Sequence, residues 1–198
     1  MNRIVIRAIT FVTLSWAALL SNRAHAENMA ALQTMPGPTK SEFETRWLGD
    51  EITWTDETGH PHKLADFKSS LVVLTMIYTE CKKTCPMVTT AKLKELQAAL
   101  DTQNKSAQFV VVTLDPENDT PEVLAQFKKK IGMDRDNWHF LRGTTKETHQ
   151  FARKLDLDDY WKMDEHILHK FKIIYLDFQT SHRRTLDWDH RDIAKLLE

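Results

Sequence analysis

Leu71-Val72-Val73-Leu74-Thr75-Met76-Ile77-Tyr78-Thr79-Glu80-Cys81-Lys82-Lys83-Thr84-Cys85-Pro86 is the stretch that decides the fold. Its first eight residues are almost all apolar, the pattern of a central strand covered on both faces. The run ends at two cysteines. Pro86 suits the first turn of a helix, and Val88, Leu93, Leu96 and Leu100 continue mostly at three- and four-residue spacing. Strand, cysteine loop and helix therefore follow one another, and the same grammar recurs downstream. Phe109–Leu114 reads as a second buried strand, and Asp119-Thr120-Pro121-Glu122 as the capped start of a helix ending near Gly132. Trp138–Leu141 and Phe171–Leu176 are further strands, Lys146–Leu155 a third helix and Asp189–Leu197 a closing helix. Upstream, Glu51–Thr55 and His60–Leu64 flank Gly59 as a short hairpin. The expectation is an α/β domain: a central mixed sheet flanked by helices, with an N-terminal β-hairpin and ligands at the carboxyl ends of the parallel strands. The cysteines occupy such an end.

The N-terminus has the grammar of a secretory signal peptide. Arg3 and Arg7 precede an apolar run from Ala8 to Leu20, and Ala24-His25-Ala26 is a small-x-small cleavage signal. The run is short for a membrane span of roughly 20 residues. Residues 1–26 are expected to be removed, and no cysteine near that junction offers a lipid attachment point. Residues 27–46, with Pro36-Gly37-Pro38, read as a flexible linker, and residues 47–198 as one domain starting near Trp47. A periplasmic or otherwise exported, soluble protein is the expected product, with an uncleaved N-terminal membrane anchor as the alternative. Lys and Arg number 27 against 28 Asp and Glu, so no basic excess points to nucleic acid.

Two cysteines exclude a disulfide-rich scaffold. Cys81 and Cys85 are too close in sequence for a cross-link to remove much unfolded-state entropy, so the pair reads as chemical. At the start of a helix, free N–H groups and the helix dipole stabilise a thiolate, and Lys82 and Lys83 act the same way. Two thiolates are soft ligands that select monovalent copper, or they close into a disulfide. A third ligand must come from elsewhere, and histidine suits copper in either oxidation state. Of nine histidines, His166 and His169 lead because they lie just ahead of Phe171–Leu176, where a thioredoxin-like sheet turns its last strands against the cysteine loop. Thioredoxin-type reductases place a cis-proline there, whereas the last proline in this chain is Pro121.

Four ordered segments resemble the Sco/SenC copper proteins. Tyr78-Thr79-Glu80-Cys81-Lys82-Lys83-Thr84-Cys85-Pro86 is similar to that family's Tyr-Thr-x-Cys-x-x-x-Cys-Pro. Leu114-Asp115-Pro116-Glu117-Asn118-Asp119-Thr120-Pro121-Glu122 is similar to its Asp-Pro-x-x-Asp-Thr-Pro segment, and Trp138-His139-Phe140-Leu141-Arg142-Gly143 to its Trp-x-Phe-Leu-x-Gly strand. His169-Lys170-Phe171-Lys172-Ile173-Ile174-Tyr175-Leu176-Asp177 resembles the stretch in which the ligand histidine precedes a basic-then-aliphatic strand ending in Asp, a register that selects His169 over His166. The resemblance, covering about residues 48–197, implies a thioredoxin-like fold and copper held by Cys81, Cys85 and His169. It implies delivery of copper to, or reduction of the cysteines of, the binuclear centre in the copper-bearing subunit of cytochrome c oxidase. A monomer acting on that subunit, or on another copper or thiol protein, is expected.

The sequence departs from the family pattern in two places. Many relatives carry Pro-Asp or similar after the first cysteine; Lys82 and Lys83 instead put positive charge beside a cation, at a cost on the order of 1 kcal/mol each. The same charges favour thiolate exchange, which keeps open a thiol–disulfide oxidoreductase acting on partner cysteines, beside a redox or copper sensor module. After Asp177, Phe178-Gln179-Thr180-Ser181 replaces the usual Pro-x-Gly or Asn-Gly turn, so an altered last hairpin is expected. Trp47, Trp54, Trp138, Trp161 and Trp188 read as core or rim aromatics, and His60 and His62 as turn residues. Asp158, Asp159, Asp164 and Glu165 read as a solvated acidic loop, with the alternative that one carboxylate orients His169.

Overall fold

A computed structural model of the chain describes residues 39–80, 85–157, 161–163, 166–187, 189 and 192–197. The expected signal peptide, Cys81, Lys82, Lys83, Asp158, Asp159, Asp164, Glu165 and Trp188 lie outside the described residues. The central strand forms as its composition requires: β3 is Leu71–Ile77, buried at every position. It pairs in parallel with β4 (Gln108–Thr113), which pairs in parallel with β5 (Trp138–Arg142). On its other side β3 pairs antiparallel with β8 (Lys172–Asp177), and β8 with β9 (His182–Asp187). β1 (Trp54–Asp56) and β2 (Pro61–His62) form the N-terminal hairpin, which joins the sheet through β5. The strand order is β2-β1-β5-β4-β3-β8-β9, a mixed seven-stranded thioredoxin-like sheet. Gly59 turns the hairpin at φ +87°, a conformation that costs glycine little.

Side chains alternate across a strand, so the continuous apolar run feeds two cores. Val72, Leu74, Met76 and Tyr78 face one cluster with Phe43, Trp47, Phe151 and Ile167. Leu71, Val73 and Ile77 face the other, with Leu93, Leu96, Leu100, Leu124 and Phe127. The first face is covered by α1 (Lys40–Leu48) and α4 (Thr145–Lys154), the second by α2 (Cys85–Thr102), α3 (Pro121–Lys130) and α5 (Ile193–Leu197). Thr120 caps α3 by accepting from Val123 N–H, with Pro121 in the first turn.

Three expectations change. Residues 40–46 are not a tether. They belong to α1, which Thr39 and Glu42 open with a reciprocal capping box and which buries Phe43, Trp47 and Leu48, so the described fold begins at Thr39 rather than near Trp47. The acidic stretch is flanked by two strands, β6 (Trp161–Met163) and β7 (His166–Leu168), which pair with each other in a separate two-stranded sheet. The closing helix begins at Ile193, not Asp189. The last hairpin forms without glycine: Asp177 Oδ1 accepts from Gln179 N–H at 2.8 Å and Thr180 N–H at 3.1 Å, and Ser181 takes φ +57°. No helix among the described residues is long and apolar enough to cross a membrane.

Gly143, which ends the Trp-x-Phe-Leu-x-Gly strand, lies where a Cβ would sit 2.9 Å from the fully buried Trp54 ring. Gly143→Ala is therefore expected to destabilise the fold by about 1–3 kcal/mol through overpacking, read as a lower urea midpoint with unchanged slope.

Candidate metal centre

β3 delivers its chain end to the carboxyl edge of the sheet, and α2 opens there with Cys85. Residues 81–84, which include Cys81, come between them in the sequence and lie outside the described residues. Two adjacent residues anchor the exit of β3. The Tyr78 side chain is buried on the first core, and its hydroxyl accepts from Ile167 N–H at 3.3 Å. The Thr79 backbone N–H and hydroxyl both donate to the carboxylate of Asp119, which also accepts from the Thr113 hydroxyl. Asp119 is only 1% exposed, and burial pushes its carboxyl above the usual range against the lowering effect of the Thr113 and Thr79 hydrogen bonds. This clamp explains physically why Asp119 stands in the Asp-Pro-x-x-Asp-Thr-Pro segment: it ties the end of β4 and the cap of α3 to the strand that leads to Cys81.

His169 follows β7 directly. Its Nδ1 lies 2.9 Å from the carbonyl oxygen of Lys170, which can only accept, so Nδ1 carries the proton and Nε2 presents its lone pair. Burial lowers the imidazole's affinity for a second proton, partly opposed by that bond, which favours the neutral ring. Nε2 is buried and has no hydrogen-bond partner among the described residues. The ring meets Tyr78 edge-to-face, with centroids 5.9 Å apart and planes at 73°. A buried lone pair with no donor in reach costs about 1–3 kcal/mol, and an electron-pair acceptor at Nε2 removes that cost. Among the described residues, the hydrogen-bond partner of the His169 ring is a backbone carbonyl, and Asp158, Asp159, Asp164 and Glu165 lie outside them.

The two hairpin histidines have partners elsewhere. His62 Nε2 lies 2.9 Å from Asp56 Oδ2, and His60 Nδ1 2.7 Å from the Thr58 hydroxyl. Burial raises the Asp56 carboxyl, but hydrogen bonds from Thr58, His60 and His62 outweigh it and hold the group at about 2. No cluster of three or more potential metal ligands occurs among the described residues. His166 pairs with Met163 through β7. Sequence reasoning placed Tyr78 at the end of a strand and Asp119 at the start of a helix, and assigned neither a role at the site, although both stand inside the quoted motifs.

A family model described as SCO1/SenC matches residues 41–195. The SCO1 protein homolog of Bacillus subtilis (strain 168) is 31% identical over 106 residues, 53% of this chain and 54% of the relative. The chain spans about half the length of the curated relatives it matches. Among solved structures, a SCO1/SenC family lipoprotein from Bacillus anthracis str. Ames superposes with a TM-score of 0.62 at 24% identity, over 74% of this chain and 93% of that one. Yeast Sco1 with copper bound gives 0.60 at 16% identity, over 74% and 84%. At these identities the structures establish the shared fold.

Proposed function

The chain belongs to the SCO1/SenC family, and from that premise we propose that it is an exported copper metallochaperone for assembly of the binuclear copper centre of cytochrome c oxidase. Cys81, Cys85 and His169 hold the ion as cargo, and the protein works in the periplasm after loss of residues 1–26. The observation that carries this reading is the buried Nε2 of His169, which has no hydrogen-bond partner among the described residues and is a neutral nitrogen donor on a ring held through Nδ1. Two thiolates and one imidazole form a soft donor set suited to monovalent copper. The relative from yeast was solved with copper bound, which supports the choice of metal. The same two thiols supply the reversible disulfide.

Lys82 and Lys83 favour a second reading, reduction of partner disulfides by the dithiol. Anaerobic titration of reduced protein with monovalent copper separates the two. Near-equimolar binding that protects both thiols from alkylation is expected. Absence of copper binding, together with stoichiometric reduction of a partner disulfide, would replace the chaperone by the reductase.

A further inference from the structure

We propose that Tyr78 is the positioning residue for His169: its hydroxyl and ring together dock the β6–β7 hairpin against the end of the strand that leads into the cysteine loop. The proposal rests on the copper reading above and deepens it. β6 and β7 form a two-stranded sheet of their own, with no ladder to the seven-stranded sheet among the described residues. Such a pair is marginal in isolation, so its placement comes from whatever it touches. In the hairpin, Met163 pairs with His166, Lys162 with Ile167 and Trp161 with Leu168.

Opposite residues in an antiparallel pair alternate between hydrogen-bonded and non-hydrogen-bonded. The Ile167 N–H goes to the Tyr78 hydroxyl, so Lys162 and Ile167 form the non-bonded pair and this N–H points away from β6. Without Tyr78 it would be a buried orphan donor at a residue 6% exposed. The Ile167 side chain enters the same core as Tyr78 and Phe151, fixing the hairpin laterally while the hydroxyl fixes it along the strand. Two residues later stands His169, whose ring meets the edge or face of the same Tyr78 ring. One side chain thus sets both the backbone just ahead of the donor and the plane of the donor itself. Its own backbone lies three residues before Cys81. Strand, hairpin and imidazole are consequently registered to one another through a single phenol.

Tyr78→Phe keeps the ring and removes the acceptor, and Tyr78→Leu removes both. In the full chain, monovalent copper retention against a chelator is expected to fall about 10-fold for Tyr78→Phe and toward 100-fold for Tyr78→Leu, the range found when partners that orient a metal-binding side chain are removed. The imidazole nitrogen couplings in the paramagnetic resonance spectrum of the divalent copper form should change in both. Gly143→Ala, which loosens the fold at Trp54, is expected to leave that spectrum unaltered, separating positioning from general destabilisation. Wild-type affinity and spectrum in Tyr78→Phe, with copper lost in His169→Ala, would overturn the proposal and leave the copper site standing. Wild-type copper binding in His169→Ala would overturn the site itself. Should Tyr78→Leu fail to fold, Tyr78→Phe alone decides.

Discussion

His169→Ala is expected to lower copper retention by more than 100-fold, whereas His166→Ala should change it by no more than a few-fold. Loss of a donor nitrogen exceeds the 10–100-fold effect of losing the groups that merely orient one. His169 combines three properties: a fixed protonated Nδ1, a burial that disfavours the imidazolium, and a buried Nε2 without a hydrogen-bond partner among the described residues. The metal-free protein should respond differently. Removal of the ring loses its packing on Tyr78 but also removes an orphaned nitrogen, so stability without copper should shift by only about 1 kcal/mol. Chelator competition for the copper form and urea denaturation for the metal-free form measure the two effects. If His166→Ala were the damaging change, the register relative to Asp177 would be the wrong guide to the donor.

Asp119→Ala is expected to cause the largest loss of stability, about 2–4 kcal/mol. It strands the Thr79 N–H and hydroxyl and the Thr113 hydroxyl in a site that is nearly closed to water. Because Thr79 stands two residues before Cys81, copper retention should fall with it. Asp119→Asn tests the charge separately. Burial raises the Asp119 carboxyl, with the Thr113 and Thr79 bonds opposing and the nearby Asp115 reinforcing. A folded-state value above the unfolded one means that the folded protein holds this proton more tightly. The resulting stability is fully present below the ordinary carboxylate range near 3.8 and is lost as pH rises through the folded-state value. The amide carries no such loss, so the stability of Asp119→Asn relative to wild type should improve from pH 4 to pH 7. Paired urea titrations at the two values check it, and a difference that moved the other way would show that the hydrogen bonds to the carboxylate outweigh its burial.

Features encoded by local spacing were legible in the amino-acid order alone. The unbroken apolar run Leu71–Ile77 becomes a strand buried on both faces, and Thr120-Pro121 starts a helix as a cap and a first-turn proline should. The motifs also pointed to the family that the matched residues 41–195 establish. Even α1 carried a readable signal, Thr39 three residues before Glu42 and then Phe43 and Trp47, though Pro36-Gly37-Pro38 beside it argued for a tether. Pairings between distant residues were a different matter. Tyr78 reaches an N–H 89 residues away, and Thr79 a carboxylate 40 residues away. Neither distance has a periodicity to betray it, because the first contact depends on where the separate hairpin docks and the second on β4 pairing in parallel beside β3. The same holds for His169. Its residue type and register came from the chain, but its nitrogen is buried without a partner among the described residues only because the fold closes around it and aims its other nitrogen at a backbone carbonyl.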